Sequence, residues 1–291
     1  MIKKGIILAG GYGTRLSPIT KVVNKQLLPL YDKPLIYYPL SVLMLAGIAD
    51  ILVITNKNEK SNFIKLLGDG SQLGIKITFL EQSKPKGLPD AFIVGEKFIR
   101  KNDVALILGD NFFYGQGFTN RLKAALHKNI GATIFTYIVN NPSEYGILEI
   151  DKKNKIKKIV EKPSSPKSNL AITGLYIFNY KAVEFAKTLK PSKRNELEIV
   201  DLFNIYLKKK SLRSEFLGRG SAWLDTGTHD SLLEASAFIS TLQLRQGLMV
   251  GCPEEIAFSH KWIDEEQIRR LAKPLTKSSY GKYLLQLTQE R

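Results

Sequence analysis

Disulfides, metal-binding clusters and membrane spans are all missing from this sequence. Its 291 residues include one cysteine, Cys252, so no disulfide can form within the chain, which fits a reducing compartment. The three histidines show no metal-ligand spacing. No window approaches the roughly 18 consecutive apolar residues of a membrane span, and the apolar run Ile6 to Ala9 is too short for a signal peptide. These absences favour a cytoplasmic protein with no membrane partner.

Acidic residues are scarce relative to basic ones, and the formal net charge is +16. Such an excess is typical of nucleic-acid-binding proteins. The lysines are scattered, however, and the densest run, DKKNKIKKIVEKP, alternates with apolar residues as the exposed face of a strand would. No aromatic and basic motif accompanies the charge. We therefore expect a lysine-rich surface that attracts anionic small molecules, and no nucleic-acid partner.

Strand and helix patterns alternate through the first part of the chain. The runs KGIILAG, DILVIT, IKITFL and VALILGD are typical of buried parallel strands, and helical patterns separate them. They predict an α/β fold with a Rossmann-like, mostly parallel sheet flanked by helices, which binds ligands at the carboxyl ends of its strands. Four strand candidates between Gly131 and Asn179 predict added antiparallel strands. Helical patterns at 264–271 and 280–289 predict a C-terminal helical extension.

A glycine-rich turn with two cations follows the first predicted strand. Its glycines are Gly10, Gly11 and Gly13. They allow backbone N–H groups to approach an anion, and Arg15 and Lys25 would add the charge that a triphosphate needs. The turn lacks the Gly-Lys-Ser/Thr of a Walker A loop, and Leu16 stands where a dinucleotide fingerprint has its third glycine. On spacing alone, a tight strand-to-helix turn with surface cations remains the alternative.

The segment LAGGYGTRLSPITKVVNKQLLPLYDKPLIYYPL resembles the signature of the sugar-nucleotide pyrophosphorylases, nucleotidyltransferases that join a sugar 1-phosphate to a nucleoside triphosphate. LGDNFFYG, VEKPSSPKSNLAITGLYIFN and GRGSAWLDTGTHDSLLEAS extend the resemblance over nearly the whole chain. Within the family, the motifs are similar to those of bacterial enzymes that convert dTTP and glucose 1-phosphate into dTDP-glucose and pyrophosphate. The resemblance implies Mg²⁺ as cofactor, a homotetramer, and a place in dTDP-rhamnose and lipopolysaccharide or O-antigen synthesis.

The resemblance also implies how the chain is divided. We expect a nucleotidyltransferase domain over residues 1–246. Its nucleotide-binding part would cover about 1–112 and its sugar-phosphate part about 113–228. The C-terminal helical extension would then take up residues 247–291.

Five residues match catalytic positions of the family. Asp110 ends the run VALILG, so its carboxylate is expected at the ligand edge of the sheet, and Asp225 ends SAWL. Both match magnesium-binding positions, and carboxylate oxygens are suitable ligands for that ion. On pattern alone, an aspartate after a strand is more often a cap or a turn former. The catalytic residues implied by the resemblance are Arg15, Lys25, Asp110, Lys162 and Asp225.

The resemblance implies two substrate sites. A glutamine amide can pair with a donor and an acceptor of thymine or uracil, which makes Gln82 the expected base reader. The other implied nucleotide-binding residues are Leu8, Gly10, Gly11, Gly13, Thr14, Arg15, Lys25, Gly87 and Asp110. The implied sugar-phosphate residues are Asn111, Tyr145, Gly146, Glu161, Lys162, Ile172, Gly174 and Tyr176. For Glu161 and Lys162, an exposed charge pair is the alternative.

The chain departs from the family pattern in two places. QSKPKGLPDA stands where QPSPDGLAQA is expected, so Pro89 and Asp90 replace alanine and glutamine. Asn195 stands where the family usually has glycine. Because base choice depends on few contacts, a UTP- or CTP-preferring enzyme remains an alternative. A catalytically silent regulator that binds nucleotide sugars is a further one.

The match to the family continues beyond Gly247, where catalysis needs nothing from the chain. It implies a second nucleotide site between subunits, at which an end product, a dTDP-sugar, inhibits the enzyme. An arginine beside glycines can meet a diphosphate, and a glutamate can accept from ribose hydroxyls. The implied residues are Gly115, Gly218, Arg219, Glu254, Glu255 and Ile256. Helix packing or a subunit contact is the alternative use of this segment.

Overall fold

The computed structural model of the chain describes residues 2–84 and 86–289. Within these residues it has thirteen strands and eleven α-helices. The strands are β1 (Lys4–Ala9), β2 (Pro29–Leu30), β3 (Lys33–Pro34), β4 (Asp50–Asn56), β5 (Lys76–Gln82), β6 (Val104–Leu108), β7 (Asn111–Gly115), β8 (Ala132–Ile138), β9 (Gly146–Ile150), β10 (Ile156–Glu161), β11 (Leu170–Phe178), β12 (Leu212–Phe216) and β13 (Ser221–Asp225). The helices are α1 (Tyr37–Leu45), α2 (Lys60–Leu67), α3 (Asp90–Val94), α4 (Glu96–Ile99), α5 (Phe118–Lys128), α6 (Ala182–Thr188), α7 (Ile199–Lys208), α8 (His229–Gln246), α9 (Pro253–Ser259), α10 (Glu265–Ala272) and α11 (Ser279–Gln286).

One nine-stranded sheet contains most of the strands, in the order β10-β9-β11-β6-β1-β4-β5, with β8 beside β11 and β12 beside β8. The four apolar runs that predicted a parallel sheet form β1, β4, β5 and β6, which are parallel. The four later candidates form β8 to β11, and these pair antiparallel as predicted. Because β11 pairs with β6, the added strands continue the same sheet and do not form a separate layer.

Alternate residues of the central strands face two separate cores. Ile7 of β1 packs on the side covered by α1, α2, α5 and α9. Its neighbour Ile6 packs on the opposite side, against α3, α6 and α7. Strands buried on both faces need apolar residues at every position, which is why these segments read as unbroken apolar runs. The predicted layers of helix, sheet and helix are confirmed.

Several elements differ from the sequence-based prediction. The strand β7 and the helices α5 and α9 were not predicted. The helical pattern between the third and fourth predicted strands, PDAFIVGEKFI, forms two helices, α3 and α4, that meet at Gly95. A Cβ atom at Gly95 would lie 2.8 Å from the carbonyl oxygen of Ala91 and 3.1 Å from Leu52 of β4. The chain turns there because it passes close to the sheet.

A small second sheet, β7 paired antiparallel with β13, lies beside the carboxyl end of β6. Asn111 faces Asp225 in this pair. Asp110 immediately precedes β7, so the pairing brings two distant aspartates together. The helix α8 then begins with a capping box in which Thr228 and Ser231 satisfy each other's backbone N–H groups.

The tail after α8 is packed onto the body through a buried lysine, Lys33 of β3. Its ammonium group donates to Asp32 at 2.5 Å and to the carbonyl oxygen of Val250 at 3.0 Å. It also lies over the rings of Tyr38 and Tyr280, on α1 and α11. On the other side of α1, residues of α9 join the main core. The residues that hold the tail therefore come from both parts of the chain.

Among residues 2–84 and 86–289, no helix combines the length and the apolar character that crossing a membrane requires.

Candidate active site

The glycine-rich turn lies at the carboxyl end of β1, between the ends of β4 and β6. Gly13 has a φ of 62° and precedes a short 3-10 turn, Thr14–Leu16, that carries Arg15. A Cβ atom at Gly13 would lie 3.0 Å from Cβ of Lys25 and 3.0 Å from Thr20. Both the backbone angle and the lack of space therefore require glycine at this position. The turn brings Arg15 and Lys25 to the same end of the sheet.

Lys25 and Asp110 form a largely buried ion pair, with Nζ 2.5 Å from Oδ2. Asn24 caps the turn that carries Lys25, because its side chain accepts from the N–H of Gln26. The amide of Asn111 donates to the other oxygen of Asp110 at 3.0 Å. Burial alone would raise the pKa of Asp110, but the charge and hydrogen bond of Lys25 outweigh it and hold that pKa below its usual range.

Asp225 lies close to this pair, at the end of β13. The hydroxyl of Thr226 donates to the carbonyl oxygen of Asp110 at 2.8 Å, which joins the two segments. Burial, and then the negative charge of Asp110, raise the pKa of Asp225 to about 6. The cations that oppose this shift are Lys25, Arg15 and Lys162. The other four predicted catalytic residues are therefore close enough to Asp225 to act on its carboxyl group.

A cavity of about 220 Å³ adjoins these charges. The predicted residues that line it are Arg15, Tyr145, Gly146, Glu161, Lys162, Ile172, Tyr176 and Asp225. Lys162 follows β10 with a φ of 42°, and its N–H donates to the carbonyl oxygen of Tyr145 at 3.0 Å. Glu161 pairs with Gly146 across β9 and β10, where a Cβ atom at 146 would lie 3.2 Å from the carboxylate. One wall thus combines a carboxylate, an ammonium group and a bare backbone.

Arg194 was missed by the sequence analysis; it does not line the cavity, but it pairs with Glu161, which does. Its guanidinium lies 3.4 Å from Glu161 and 2.6 Å from Glu198. Burial raises the pKa of Glu161, and the charge of Arg194 opposes that rise. The next residue, Asn195, has a φ of 59°, a conformation that glycine adopts easily and asparagine tolerates. This explains how asparagine replaces the expected glycine.

Further residues of the cavity also escaped the sequence analysis. They are Leu88, Leu108, Glu144, Ile199, Val200 and Phe203. Most are apolar residues in apolar runs, so nothing in the sequence separates them from ordinary core residues. Gln26 does not line the cavity, but it lies in the turn that carries Lys25. Its buried Oε1 has no hydrogen-bond partner among the residues that the structure describes.

Asn111 and Gly174, both predicted to bind the sugar phosphate, lie behind the cavity and do not line it. Oδ1 of Asn111 accepts from the indole N–H of Trp223 at 2.6 Å and from the N–H of Gly174 at 3.0 Å. A Cβ atom at Gly174 would lie 2.4 Å from that same oxygen. The amide of Asn111 is thus engaged within the protein, where it holds Asp110.

The predicted base-reading residues lie at the ends of β5 and β1. Gln82 is buried, and its amide nitrogen donates to Asp90 at 2.7 Å. Gly87 has a φ of 95°, and a Cβ atom there would lie 2.1 Å from the carbonyl oxygen of Leu197. Glycine is needed at position 87 because the backbone of Leu197 leaves no room for a Cβ atom. Pro85, between these two residues, lies outside the described part of the chain.

The residues predicted for a second nucleotide site are not all brought together. Gly115, Glu255 and Ile256 line a separate cavity of about 380 Å³. Gly218 and Arg219 lie in the turn before β13 and do not line it. Glu254 is buried inside the tail, where it accepts from the hydroxyl of Tyr280.

Comparisons with known proteins show the family of this chain. A family model described as nucleotidyl transferase matches residues 4–241. The glucose-1-phosphate thymidylyltransferase of Xanthomonas campestris pv. campestris (strain B100) is 57% identical over 98% of this chain and 97% of its own. That of Neisseria meningitidis serogroup A is 56% identical over 98% and 99% of the two chains.

Solved structures give the same result. A Bacillus anthracis protein assigned as a glucose-1-phosphate thymidylyltransferase, in complex with sucrose, aligns with a TM-score of 0.74 and 40% identity over 81% of this chain and 94% of that one. A UDP-glucose pyrophosphorylase complexed with UDP-glucose aligns with a TM-score of 0.74 and 29% identity. That alignment covers 83% of this chain and 100% of the other.

Proposed function

Because this chain belongs to the nucleotidyl transferase family, we propose that it transfers the thymidylyl group of dTTP to glucose 1-phosphate. The products are dTDP-glucose and pyrophosphate, and dTDP-glucose would supply the synthesis of dTDP-rhamnose for lipopolysaccharide or O-antigen. One observation above all supports the proposal. Arg15, Lys162 and Asp225 line the same cavity as most of the predicted sugar-binding residues.

In the proposed reaction, a phosphate oxygen of glucose 1-phosphate attacks the α-phosphorus of dTTP. The new phosphorus–oxygen bond forms as the bond to the oxygen bridging the α- and β-phosphates breaks, and that oxygen leaves with its electron pair as part of pyrophosphate. Such a displacement needs positioning and charge neutralisation more than a covalent nucleophile. Arg15, Lys25 and Lys162 are the cations placed to neutralise the phosphate oxygens.

Asp110 and Asp225 suit a Mg²⁺ ion. Magnesium seldom takes a cage made wholly of protein, and it is commonly held by one or two carboxylates with water and substrate phosphates. In the described parts of the chain, no group of three or more histidine, cysteine or carboxylate side chains could hold a metal. The charge of Asp110 raises the pKa of Asp225, so the two carboxyl groups are near enough to favour a shared cation. Bound Mg²⁺ would neutralise charge on the phosphates.

The cavity suits a hexose. Its volume of about 220 Å³ is lined by six apolar side chains, five charged ones, two tyrosines and Gly146, so it combines an apolar surface with polar groups that can fix a sugar. Glu161 can accept from sugar hydroxyls, and the backbone of Gly146 allows a hydroxyl to come close. Lys162, next in sequence to Glu161, would meet the sugar phosphate. Arg194 would keep Glu161 in place.

A uridylyltransferase is the second candidate. The UDP-glucose pyrophosphorylase with UDP-glucose supports it, since its fold is similar to that of this chain. Thymine and uracil have the same hydrogen-bonding edge, so Gln82 would read both alike. A silent regulator is disfavoured because a protein that only binds has no use for the cations and both carboxylates together.

We also propose that copies of the chain associate into a homotetramer with a second nucleotide site. The helix α8 carries Leu233 and Leu244, which are 71% and 76% exposed. Burial of such side chains against a second copy would stabilise an assembly. The cavity of about 380 Å³ beside β7 and α9 would then take a dTDP-sugar.

A turnover assay tests the proposed function. The purified chain is given glucose 1-phosphate, Mg²⁺ and either dTTP, UTP, CTP or ATP, and pyrophosphate release is measured. We expect the highest kcat/KM with dTTP, and the Arg15→Ala variant serves as a blank for contaminating enzymes. Preference for UTP would favour the uridylyltransferase, and no turnover with any nucleotide would refute the enzymatic function.

A further inference from the structure

We propose that Asp90 determines which nucleobase the site accepts, because it holds the amide of Gln82 in one orientation. The inference rests on the proposed function and adds a positioning residue to it. Asp90 belongs to the segment QSKPKGLPDA, in which the chain departs from the family pattern. It is the first residue of α3, and it is only 7% exposed.

The amide of Gln82 lies between two fixed neighbours. Its nitrogen donates to Oδ2 of Asp90 at 2.7 Å. Its oxygen faces the glycine-rich turn after β1, since a Cβ atom at Gly10 would lie 2.9 Å from Oε1. Gln82 ends β5 opposite Asn56 of β4, so its side chain extends across the end of β4 toward β1. Gln82 itself is 5% exposed, and water cannot easily replace either neighbour.

An ionised carboxylate accepts hydrogen bonds and cannot donate them. If the amide of Gln82 were turned by half a rotation, its oxygen would face the carboxylate of Asp90 with no hydrogen between them. Two buried acceptors would then oppose each other, which is unfavourable. Asp90 therefore fixes the amide with one N–H group engaged, so that Oε1 and the second N–H group are available to a ligand.

This fixed amide discriminates between pyrimidines. Thymine and uracil have an N–H donor at N3 next to a carbonyl acceptor, which matches the acceptor and the donor of Gln82. Cytosine has an acceptor at N3 next to an amino donor, the reverse arrangement. With the base held in the same position, only a turned amide could pair with cytosine, and Asp90 prevents the turn. The pair of Gln82 and Asp90 thus admits thymine and uracil and excludes cytosine.

The Asp90→Asn variant tests this role. An asparagine amide can turn either its oxygen or its nitrogen toward Gln82, so both orientations of Gln82 become available. We expect the ratio of kcat/KM for dTTP to that for dCTP to fall by about tenfold or more, the effect of one buried hydrogen bond. The KM for glucose 1-phosphate should not change. Glu96→Gln, which removes one exposed charge on the neighbouring α4, is the matched control and should leave the ratio unchanged.

Two outcomes would overturn the inference. If Asp90→Asn lowers turnover of dTTP and dCTP equally, Asp90 only supports the structure. If the unmodified chain turns over no pyrimidine nucleotide, the proposed function itself fails. An active enzyme whose ratio of kcat/KM for dTTP to that for dCTP is unchanged by Asp90→Asn would overturn only the role of Asp90. Asp90→Ser provides a second variant should the first not fold, because a hydroxyl can also accept or donate, and the same fall in the ratio is expected.

Discussion

The ammonium group of Lys25 lies 2.5 Å from a carboxylate oxygen of Asp110, and both side chains are largely removed from solvent. The pair joins the short turn that carries Lys25 to the end of β6, so two loops of the site are held together. Lys25 therefore has two tasks in the proposed reaction. It orients Asp110, and it adds positive charge where the triphosphate would lie.

Replacing Lys25 by methionine should impair both tasks. We expect kcat to fall by about 10² to 10³, the usual cost of losing a preorganised charge in an active site. The free energy of unfolding should fall by about 3 kcal/mol, because Asp110 loses its buried partner. Pyrophosphate release and urea unfolding measure the two effects. Lys65→Met, at an exposed position of α2, is the control, and near-normal turnover of Lys25→Met would refute the assignment.

Asp225→Asn should increase the requirement for Mg²⁺, because a neutral amide is a poorer ligand for a hard cation. The Mg²⁺ concentration at half-maximal rate is expected to rise by about tenfold, with a lower rate at saturation. Titration of the rate with Mg²⁺ measures this change. Asp230→Asn, which alters an exposed aspartate of α8, provides the comparison. A rate that EDTA does not reduce would exclude a metal role for Asp225.

Gly174→Ala should disturb the site by displacing Asn111, which supports Asp110. The added Cβ would meet Oδ1 of Asn111 at 2.4 Å, so Asn111 must move, and Asp110 loses its support. We expect a loss of about 1–3 kcal/mol in the free energy of unfolding together with a reduced kcat. Gly218→Ala is the control for folding, since its nearest neighbour lies 3.8 Å away. Unaltered stability and rate would show that Asn111 does not need its present position.

Glu254 should make stability depend on pH. Burial raises the pKa of Glu254 above its ordinary value of 4.5, so the folded state keeps a proton that the unfolded chain releases. The stabilisation is complete below the unfolded pKa and is lost as the pH rises through the folded pKa. Glu254→Gln cannot ionise, and its unfolding free energy should therefore decline less, by about 1 kcal/mol or more between pH 5 and 8. Urea unfolding at both pH values measures the difference, and parallel pH curves for the two proteins would contradict it.

Arg219→Ala should test the proposed second site. Arg219 is exposed in the turn before β13, whose first residue, Ser221, pairs with Gly115 at the edge of the larger cavity. We expect the variant to lose inhibition by dTDP-sugars while its uninhibited turnover is retained, because coupling and catalysis would use different sites. Initial rates at varied dTDP-sugar concentrations measure this. Inhibition that is purely competitive with dTTP and unchanged in the variant would leave the second site without support.

The sequence was most informative where burial dictates composition. The four parallel strands were recognisable because both of their faces are buried, and Gly13 was recognisable because its turn permits no Cβ atom. Pairing between distant segments was not recognisable. β7 is a short aromatic segment whose partner, β13, is more than a hundred residues away, and nothing in NFFYG indicates that partner. Only the family resemblance therefore indicated that Asp110 and Asp225 belong to one site.

Residues that act through another side chain were the hardest to predict. Asp90 looked like a departure that weakened the base site, yet it is hydrogen-bonded to the base-reading Gln82. Arg194 lies in an exposed segment with other charged residues, and only its distance to Glu161 connects it with the cavity. Such roles depend on which atoms meet in three dimensions, and a single sequence does not contain that information.

The contacts of Lys33 with the tail determine what truncation of the chain would do. A chain that ends after Gln246 would still contain everything that the family model matches, yet Lys33 would lose the carbonyl of Val250 and the ring of Tyr280. The ammonium group of Lys33 would then lie at a newly exposed surface. The apolar residues of α1 that share a core with α9 would be exposed as well. The tail therefore cannot be removed without a change elsewhere. A shortened enzyme would need polar substitutions at the apolar positions of α1 that the truncation exposes.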